Sequence, residues 1–341
     1  MKKIGIGVLA YSSIAKRRVL PVLQASERFS LIAVGSRSSA KAVEAANKFD
    51  CAACSYNELI EDESVDAIYI SLPVGLHYEW GIKALEAGKH IIVEKTFVGD
   101  FEKARNLIAL SEKSGLVAME ALSNVHHPHY RKVLELLNNG AIGEIRHIQA
   151  YFGFPFLPED DIRHKVALGG GAILDALIYP LNCALEAAGT PPQEIQYSVG
   201  SRKGFNVDTH GFLQLNFGNC QAQIGYGFGF SYRNECHLWG TQGRVSAQRL
   251  FSLPPDMSGE ITVNQDGSET VLTVEAANQF EYMLHDFADA VNANIIGQYR
   301  NHRDLLCRES LISTIREASM GILNDNMQDR QSVGSFEPRK Y

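Results

Sequence analysis

Two stretches of the chain carry side chains whose types and spacing can do chemistry on a small molecule. In the segment HIIVEKT, a short apolar run of Ile91, Ile92 and Val93 ends on Glu94 and Lys95. A continuous apolar block of that length reads as a parallel strand covered on both faces. Ligands of open α/β sheets lie beyond the carboxyl ends of such strands, so Lys95 is placed to face one. The second stretch runs Gly169-Gly170-Gly171-Ala172-Ile173-Leu174-Asp175 and reaches Tyr179 four residues later. Positions four apart share a helix face, so this carboxylate and phenol point the same way, and the glycines let the helix start close against a ligand. A lysine and a phenol on one oxygen can hold it and protonate it as it gains charge.

These groups need elements to position them. Lys3 to Val8 reads as a buried strand, and Gly5-Ile6-Gly7-Val8-Leu9-Ala10 is a GxGxxA turn leading through Tyr11 into a helix that starts near Ser12 or Ser13, with Ile14 in its first turn. On that reading Gly5 permits a tight turn, Gly7 admits a pyrophosphate, Ala10 allows close helix packing, and the helix start offers free amides. The next strand, Phe29 to Val34, ends in Gly35-Ser36-Arg37-Ser38, where an acid would select NAD. Arg37 between hydroxyls can instead clamp a 2′-phosphate, which favours NADP. Tyr56 follows a short third strand and can lie near the cofactor. A fourth strand, Asp66 to Leu72, leads through Ser71, Leu72 and Pro73 to His77 and a helix closed by Gly88. Strand and helix alternate through Met119, as a doubly wound parallel sheet requires. Residues 1–122 are therefore expected to form a dinucleotide-binding domain.

Residues 123–341 are expected to form an α+β domain for substrate binding and oligomerisation. From Ile195 onward the pattern shifts to strands such as Ile224-Gly225-Tyr226-Gly227-Phe228-Gly229-Phe230, which fit a mainly antiparallel open sheet with an apolar outer face. Tyr232 and Arg233 follow that strand and can close a pocket. Asn278 to Val291 and Leu305 to Ile322 read as helices, and the polar tail after Asn324 as loosely held.

At 341 residues the chain exceeds one ordinary hydrophobic core, in line with two domains. A net charge of −7 without a long basic run argues against nucleic acid or an anionic membrane as partner. Six scattered cysteines, with a CxxC spacing only at Cys51 and Cys54, read as reduced thiols in a cytoplasmic protein. The opening apolar run is too short to span a bilayer and is broken by glycines. The histidines at 126, 127 and 129 have no carboxylate or cysteine at ligand spacing, so no metal is expected.

The GxGxxA start, Ser71-Leu72-Pro73 with His77, the Glu94-Lys95 strand end and Met119-Glu120-Ala121 together resemble the glucose-fructose oxidoreductase/inositol dehydrogenase (Gfo/Idh/MocA) family over essentially the whole chain. Thr96 stands where that family usually has proline, and Tyr179 where most members have histidine. Tyrosine there is similar to two branches: deoxysugar 3-ketoreductases, and dihydrodiol and D-xylose dehydrogenases. Ser13-Ile14-Ala15-Lys16-Arg17-Arg18, the His-His-Pro group and Asp160-Asp161-Ile162-Arg163 resemble the first branch. The resemblance implies an N-terminal Rossmann sheet, a C-terminal α+β domain and a homo-oligomer paired through the open sheet. It implies NADPH-dependent reduction of a sugar keto group, at C3 of a nucleotide-linked keto-deoxysugar. Tyr179 is then the proton donor, Lys95 supports it at the same oxygen, and Asp175 orients the lysine or the nicotinamide ribose. Glu94 and Arg163 resemble positions near the cofactor, and Arg18 and Asn124 positions reaching the substrate, with Tyr232 at its rim. Oxidation of a free sugar or cyclic dihydrodiol, and a cofactor-binding sensor or repressor, remain open alternatives.

Overall fold

A computed structural model describes residues 3–293, 302–323 and 330–338, and the chain divides into two compact units. The first comprises residues 1–123 together with 280–302, and the second residues 124–279 together with 303–341.

In the first unit, strands β1 (Ile4–Leu9), β2 (Phe29–Gly35), β3 (Ala52–Cys54), β4 (Ala67–Ile70), β5 (His90–Glu94) and β6 (Ala118–Ala121) form one sheet in the order β3-β2-β1-β4-β5-β6. All of its pairings are parallel. The crossovers are α1 (Leu20–Ala25), which continues a π-wound turn over Ala15–Val19, α2 (Ser39–Phe49), α3 (Tyr56–Glu61), α4 (His77–Glu86) and α5 (Phe101–Ser114). Local chemistry explains where they start. Ser38 caps α2 through Lys41 N, Asp100 caps α5 through Lys103 N, and Ser55 with Glu58 forms a capping box on α3. Strand order reverses between β1 and β4, which puts the ligand crevice of a doubly wound sheet at their carboxyl ends.

The second unit begins with α6 (Pro128–Asn138) and β7 (Ile145–Phe154), followed by a π-wound turn over Ile173–Leu177 that runs into α7 (Ile178–Ala188). Strands β8 (Glu194–Ser201), β9 (His210–Asn216), β10 (Gln221–Phe228), β11 (Arg233–Gly240), β12 (Gly243–Gln248), β13 (Gly259–Gln265) and β14 (Ser268–Val274) join β7 in a sheet that is antiparallel except for β7 beside β10. After β14 the chain forms α8 (Gln279–Asn292), then α9 (His302–Leu323) and β15 (Arg330–Phe336).

Three features depart from the sequence reading. Helix α8 belongs to the first unit, where Phe287 stacks on Phe29 at 6.5 Å and Arg28 bonds His285 O and Asp289. The tail expected to be loose closes the second sheet, since β15 pairs antiparallel with β8 from Arg330 to Phe336; residues 324–329 lie outside the described residues. A main-chain ladder needs no apolar side chains, so a polar tail can hold a sheet edge. The outer face of that sheet is also less apolar than expected. Ile224, Tyr226 and Phe228 turn into the core, while Gln221 and Gln223 are exposed on the other face. Gly225 leaves room for the rings of Tyr151 and Phe212, which would lie 2.9 Å and 3.1 Å from a Cβ there. Apolar composition likewise explains 166–188, the one described segment long and apolar enough to cross a membrane: Ile173, Leu174, Leu177, Ile178 and Leu181 are buried in this unit.

Candidate active site

In the first unit the crevice is built at the ends of β1, β4 and β5. Gly5 and Gly7 lie inside β1 and not in the turn after it, which corrects the role given to them from spacing. A Cβ on Gly5 would sit 2.1 Å from Ser64 O, and one on Gly7 2.6 Å from Leu59 Cδ1, so both glycines serve close packing of the strand. The turn itself is made at Ala10, whose φ of 79° is left-handed and whose N–H donates to Gly35 O at 3.0 Å. Ser71 holds this turn by donating from Oγ to Ala10 O at 2.8 Å, and Ser12 Oγ accepts from Ala15 N at 3.1 Å. Ser12 and Ser71 hydroxyls meet at 3.1 Å, so the ends of β1 and β4 are stitched together beside a helix N-terminus. Tyr11 presents a buried hydroxyl without a partner, Ser13 is exposed, and Ile14 packs on the core.

At the end of β2, Arg37 is exposed and reaches the Tyr56 hydroxyl. Burial pushes the Tyr56 phenol above its ordinary pKa, and the Arg37 charge opposes that rise. Tyr56 is braced edge-on by Trp80 at 5.0 Å. Ser36 Oγ accepts from Ser38 N at 3.2 Å and Ser38 Oγ from Lys41 N at 3.4 Å, so both shape the loop as acceptors while their own O–H groups can still donate to an anion. The residues present suit a dinucleotide: a helix N-terminus at the switch point, an orphaned Tyr11 hydroxyl, and a guanidinium where the adenosine ribose of such a ligand lies.

Lys95 is half-buried at the end of β5, and its surroundings fix it from both sides. Its N–H donates to Glu94 Oε2 at 3.2 Å, while Glu94 Oε1 accepts from the Tyr69 hydroxyl at 2.6 Å. Burial raises the Glu94 pKa against the opposing pull of Tyr69 and the Lys95 charge. Beyond Lys95, whose peptide bond to Thr96 is cis, Phe97 N donates to Glu120 Oε1 at 2.7 Å. His77 is fully buried, with Nε2 2.7 Å from Leu72 O and Nδ1 3.0 Å from Thr96 O. It therefore straps the segment after β4 to the segment carrying Lys95, and the direct cofactor contact expected of it is corrected to a positioning role. Burial lowers its pKa, with the backbone carbonyls opposing. Leu72 is buried, Pro73 caps a short 3₁₀ turn and Arg18 is half-buried on its helix.

The second unit carries the other chemical cluster. Arg163 donates from Nε to Asp175 Oδ2 at 2.8 Å and from Nη1 to Asp161 Oδ1 at 3.2 Å, so Asp175 is held by an arginine that spacing did not connect to it. Tyr179 is half-buried, its ring edge-on to Phe152 at 4.9 Å and 6.4 Å from Phe251. Asp208 anchors the helix start: its Oδ2 accepts from Ile173 N at 2.6 Å and its backbone O from Ala172 N at 3.0 Å. Burial pushes its carboxyl up to about 6, against the helix amides and the Arg316 charge. No pattern pointed to Asp208, since it stands far from the glycines in sequence and its only local signal is an acid before a strand. Asn124 is buried with neither amide atom partnered, and Tyr232 is exposed, its hydroxyl accepting from Asn234 Nδ2 at 3.1 Å.

His127 Nε2 lies 3.1 Å from Ala277 O and His129 Nε2 3.1 Å from Gln248 O, tying the start of α6 to the segment after β14 and to the end of β12. Burial pushes the Cys51 and Cys54 thiols up to about 11, which removes thiolate character at neutral pH.

Residues 4–122 match the oxidoreductase family with an NAD-binding Rossmann fold, and residues 130–246 match the GFO/IDH/MocA C-terminal domain. Among curated proteins, the dTDP-3,4-didehydro-2,6-dideoxy-α-D-glucose 3-reductase of Saccharopolyspora spinosa is 36% identical over 294 residues, 86% of this chain and 89% of that protein. The D-xylose 1-dehydrogenase (NADP⁺) 2 of Haloferax volcanii is 29% identical over 84% of this chain and 88% of its own. Among solved structures, the 3-ketoreductase KijD10 of Actinomadura kijaniata, in complex with NADP and TDP-benzene, is similar with a TM-score of 0.86 and 31% identity, covering 93% of this chain and 98% of that one.

Proposed function

The chain belongs to the Gfo/Idh/MocA oxidoreductase family, and on that premise we propose that it is an NADPH-dependent reductase of a sugar ketone, acting at C3 of a nucleotide-linked keto-deoxysugar. The observation that carries the reading is the pair of built sites in one chain: Lys95 fixed at the end of β5, and Asp175 with Tyr179 on a helix anchored by Asp208. A reduced nicotinamide supplies hydride when bound. Tyr179 donates the proton to the carbonyl oxygen, and Lys95 holds the same oxygen while its charge eases proton release from the phenol. Asp175, tied to Arg163, orients the groups around the nicotinamide ribose. The greater likeness to 3-ketoreductases than to the xylose dehydrogenase supports the nucleotide-linked substrate.

The test is turnover of NADPH by the purified chain with a panel of carbonyl compounds. Nucleotide-linked 3-keto-deoxysugars are expected to give the highest kcat/KM. Better oxidation of free xylose or a dihydrodiol with NADP would replace this reading with the dehydrogenase one, and cofactor binding without any turnover would favour a sensor.

Arg37 is proposed to select NADP by pairing with its 2′-phosphate. Arg37→Ala is expected to weaken NADPH binding by roughly 10- to 150-fold, the equivalent of about 1.5 to 3 kcal/mol for a charge-assisted pair, while NADH binding changes little. Cofactor fluorescence titrations check this, and equal losses for both cofactors would refute it.

The outer face of the second sheet is proposed to pair with a second copy, because Trp239 on β11 and Phe212 on β9 both lie on that face and are 66% and 51% exposed. Light scattering is expected to report an oligomer that Trp239→Glu weakens; a monomer at micromolar concentration would remove the idea. A cytoplasmic location follows from the same reading, since NADPH and nucleotide-linked sugars are found there.

A further inference from the structure

Tyr69 lies on β4, a central strand of the first sheet, and is fully buried. In the parallel pairing of β4 with β5 it stands beside Ile92. Alternate residues of a strand share a face, so Tyr69, Ile92 and Glu94 lie on the same side of the sheet. That side is apolar, and Tyr69 belongs there to a cluster with Val8, Ile92, Met119, Ala121 and Phe287. Phenylalanine would fill this space equally well, and a buried hydroxyl costs free energy unless it is hydrogen-bonded. The hydroxyl is explained by what it meets at the strand end. It donates to Glu94 Oε1 at 2.6 Å, the length of a charge-assisted bond.

That bond matters because Glu94 is poorly placed to stay ionised. Burial raises its pKa, and the Glu120 carboxylate of β6 adds to the rise. The Tyr69 hydroxyl is the foremost opposing influence, followed by the Lys95 charge and by the Lys95 N–H, which donates to Oε2 at 3.2 Å. His77 on α4 also feels the Lys95 charge, but burial lowers its pKa, so it is neutral and gives the lysine no countercharge. A carboxylate beside an ammonium keeps it protonated. An ionised Glu94 thus holds Lys95 in the charged form that the proposed reaction needs.

We infer that Tyr69 is a positioning residue for Lys95, acting through Glu94: its hydroxyl keeps that carboxylate ionised and in place, and the carboxylate keeps the lysine cationic. This deepens the proposed function and rests on it for the need of a charged lysine.

Tyr69→Phe keeps the ring and removes the hydroxyl. Without it Glu94 takes up a proton at higher pH and Lys95 releases one at lower pH, so the bell of kcat against pH narrows from both sides. At neutral pH kcat is expected to fall about tenfold, the loss of one charge-assisted bond, with NADPH affinity within about twofold. A second readout needs no turnover. In full-length protein with lysines methylated by carbon-13, the Lys95 resonance, identified by its loss in Lys95→Ala, is expected to titrate about one unit lower in Tyr69→Phe. Glu94→Gln, which cannot ionise, is expected to lower that midpoint as well, and Tyr69→Phe on the same background to lower it no further. An unmoved Lys95 midpoint in Tyr69→Phe overturns the inference even if Tm falls, since that is the mark of a hydroxyl with a structural role alone. So does a further drop in the double variant equal to that of Tyr69→Phe by itself. A lowered midpoint in a protein that reduces no keto-sugar leaves Tyr69 tied to Lys95 and overturns the proposed reaction instead.

Discussion

Lys95→Ala is expected to lower kcat by roughly 10²- to 10³-fold while NADPH still binds. On the proposed reaction the substitution removes a positive charge from the point where an alkoxide would form, a loss comparable to the roughly 2.7 to 4 kcal/mol of a missing oxyanion donor. The backbone at this point should survive the change. Thr96 O remains held by His77 and Phe97 N by Glu120, neither of which depends on the lysine side chain. Tyr179→Phe keeps the edge-on packing against Phe152 and deletes only the hydroxyl, so a fall of roughly a hundredfold or more is expected, as for a general acid. If the two groups serve one oxygen, their effects will not add, and the double variant will be little slower than Lys95→Ala. Single-turnover rates for the three proteins, with NADPH affinity measured separately by fluorescence, decide the matter. Nearly full kcat in Tyr179→Phe would remove it as the acid.

Gly171→Ala is expected to damage both the stability of the second unit and the site, because it strikes the anchor of the helix that carries Tyr179. The glycine has φ of 116°, and a Cβ there would stand 2.2 Å from Asp208 Oδ1. Asp208 cannot yield cheaply, because its carboxylate and carbonyl hold the N–H groups of Ile173 and Ala172. Backbone strain of about 1 to 3 kcal/mol adds to the roughly 1 kcal/mol of a disturbed helix cap. For a unit of this size the sum lowers Tm by roughly 5 to 15 °C. The helix start would shift with it, and since a misplacement of about 1 Å can cost 10²-fold in rate, kcat should fall further than stability alone implies. Gly189→Ala is the control, at the other end of the same helix with φ of 67° and open space around it. Calorimetry should show about 1 to 2 kcal/mol of loss there, the cost of a left-handed alanine alone, with kcat unchanged. Similar losses for the two glycines would show that strain alone, and not the Asp208 anchor, governs the site.

Much of this protein is written locally. The apolar block Ile91 to Val93, the serine caps at positions 38 and 55, and the strand-helix alternation through Met119 reflect short-range periodicity and capping, which neighbouring residues suffice to specify. Lys95 at a strand end and Asp175 with Tyr179 along one helix were legible for the same reason. The family resemblance added roles for these residues that periodicity alone does not contain. Tertiary structure decided what depends on contacts between distant segments. Gly5 and Gly7 look like turn residues in sequence, but Ser64 and Leu59 pack against them and the turn falls to Ala10. His77 resembles a ligand contact, yet three carbonyls from two separate segments enclose it. Asp208 caps a helix that begins more than thirty residues earlier, α8 joins the first unit through Phe29 and Arg28, and β15 closes the far sheet through its main chain. A linear pattern records which faces are apolar and where a helix can begin. It holds no term for a partner brought close only after the chain has folded, so the anchors of the site, unlike its reactive groups, emerged only in three dimensions.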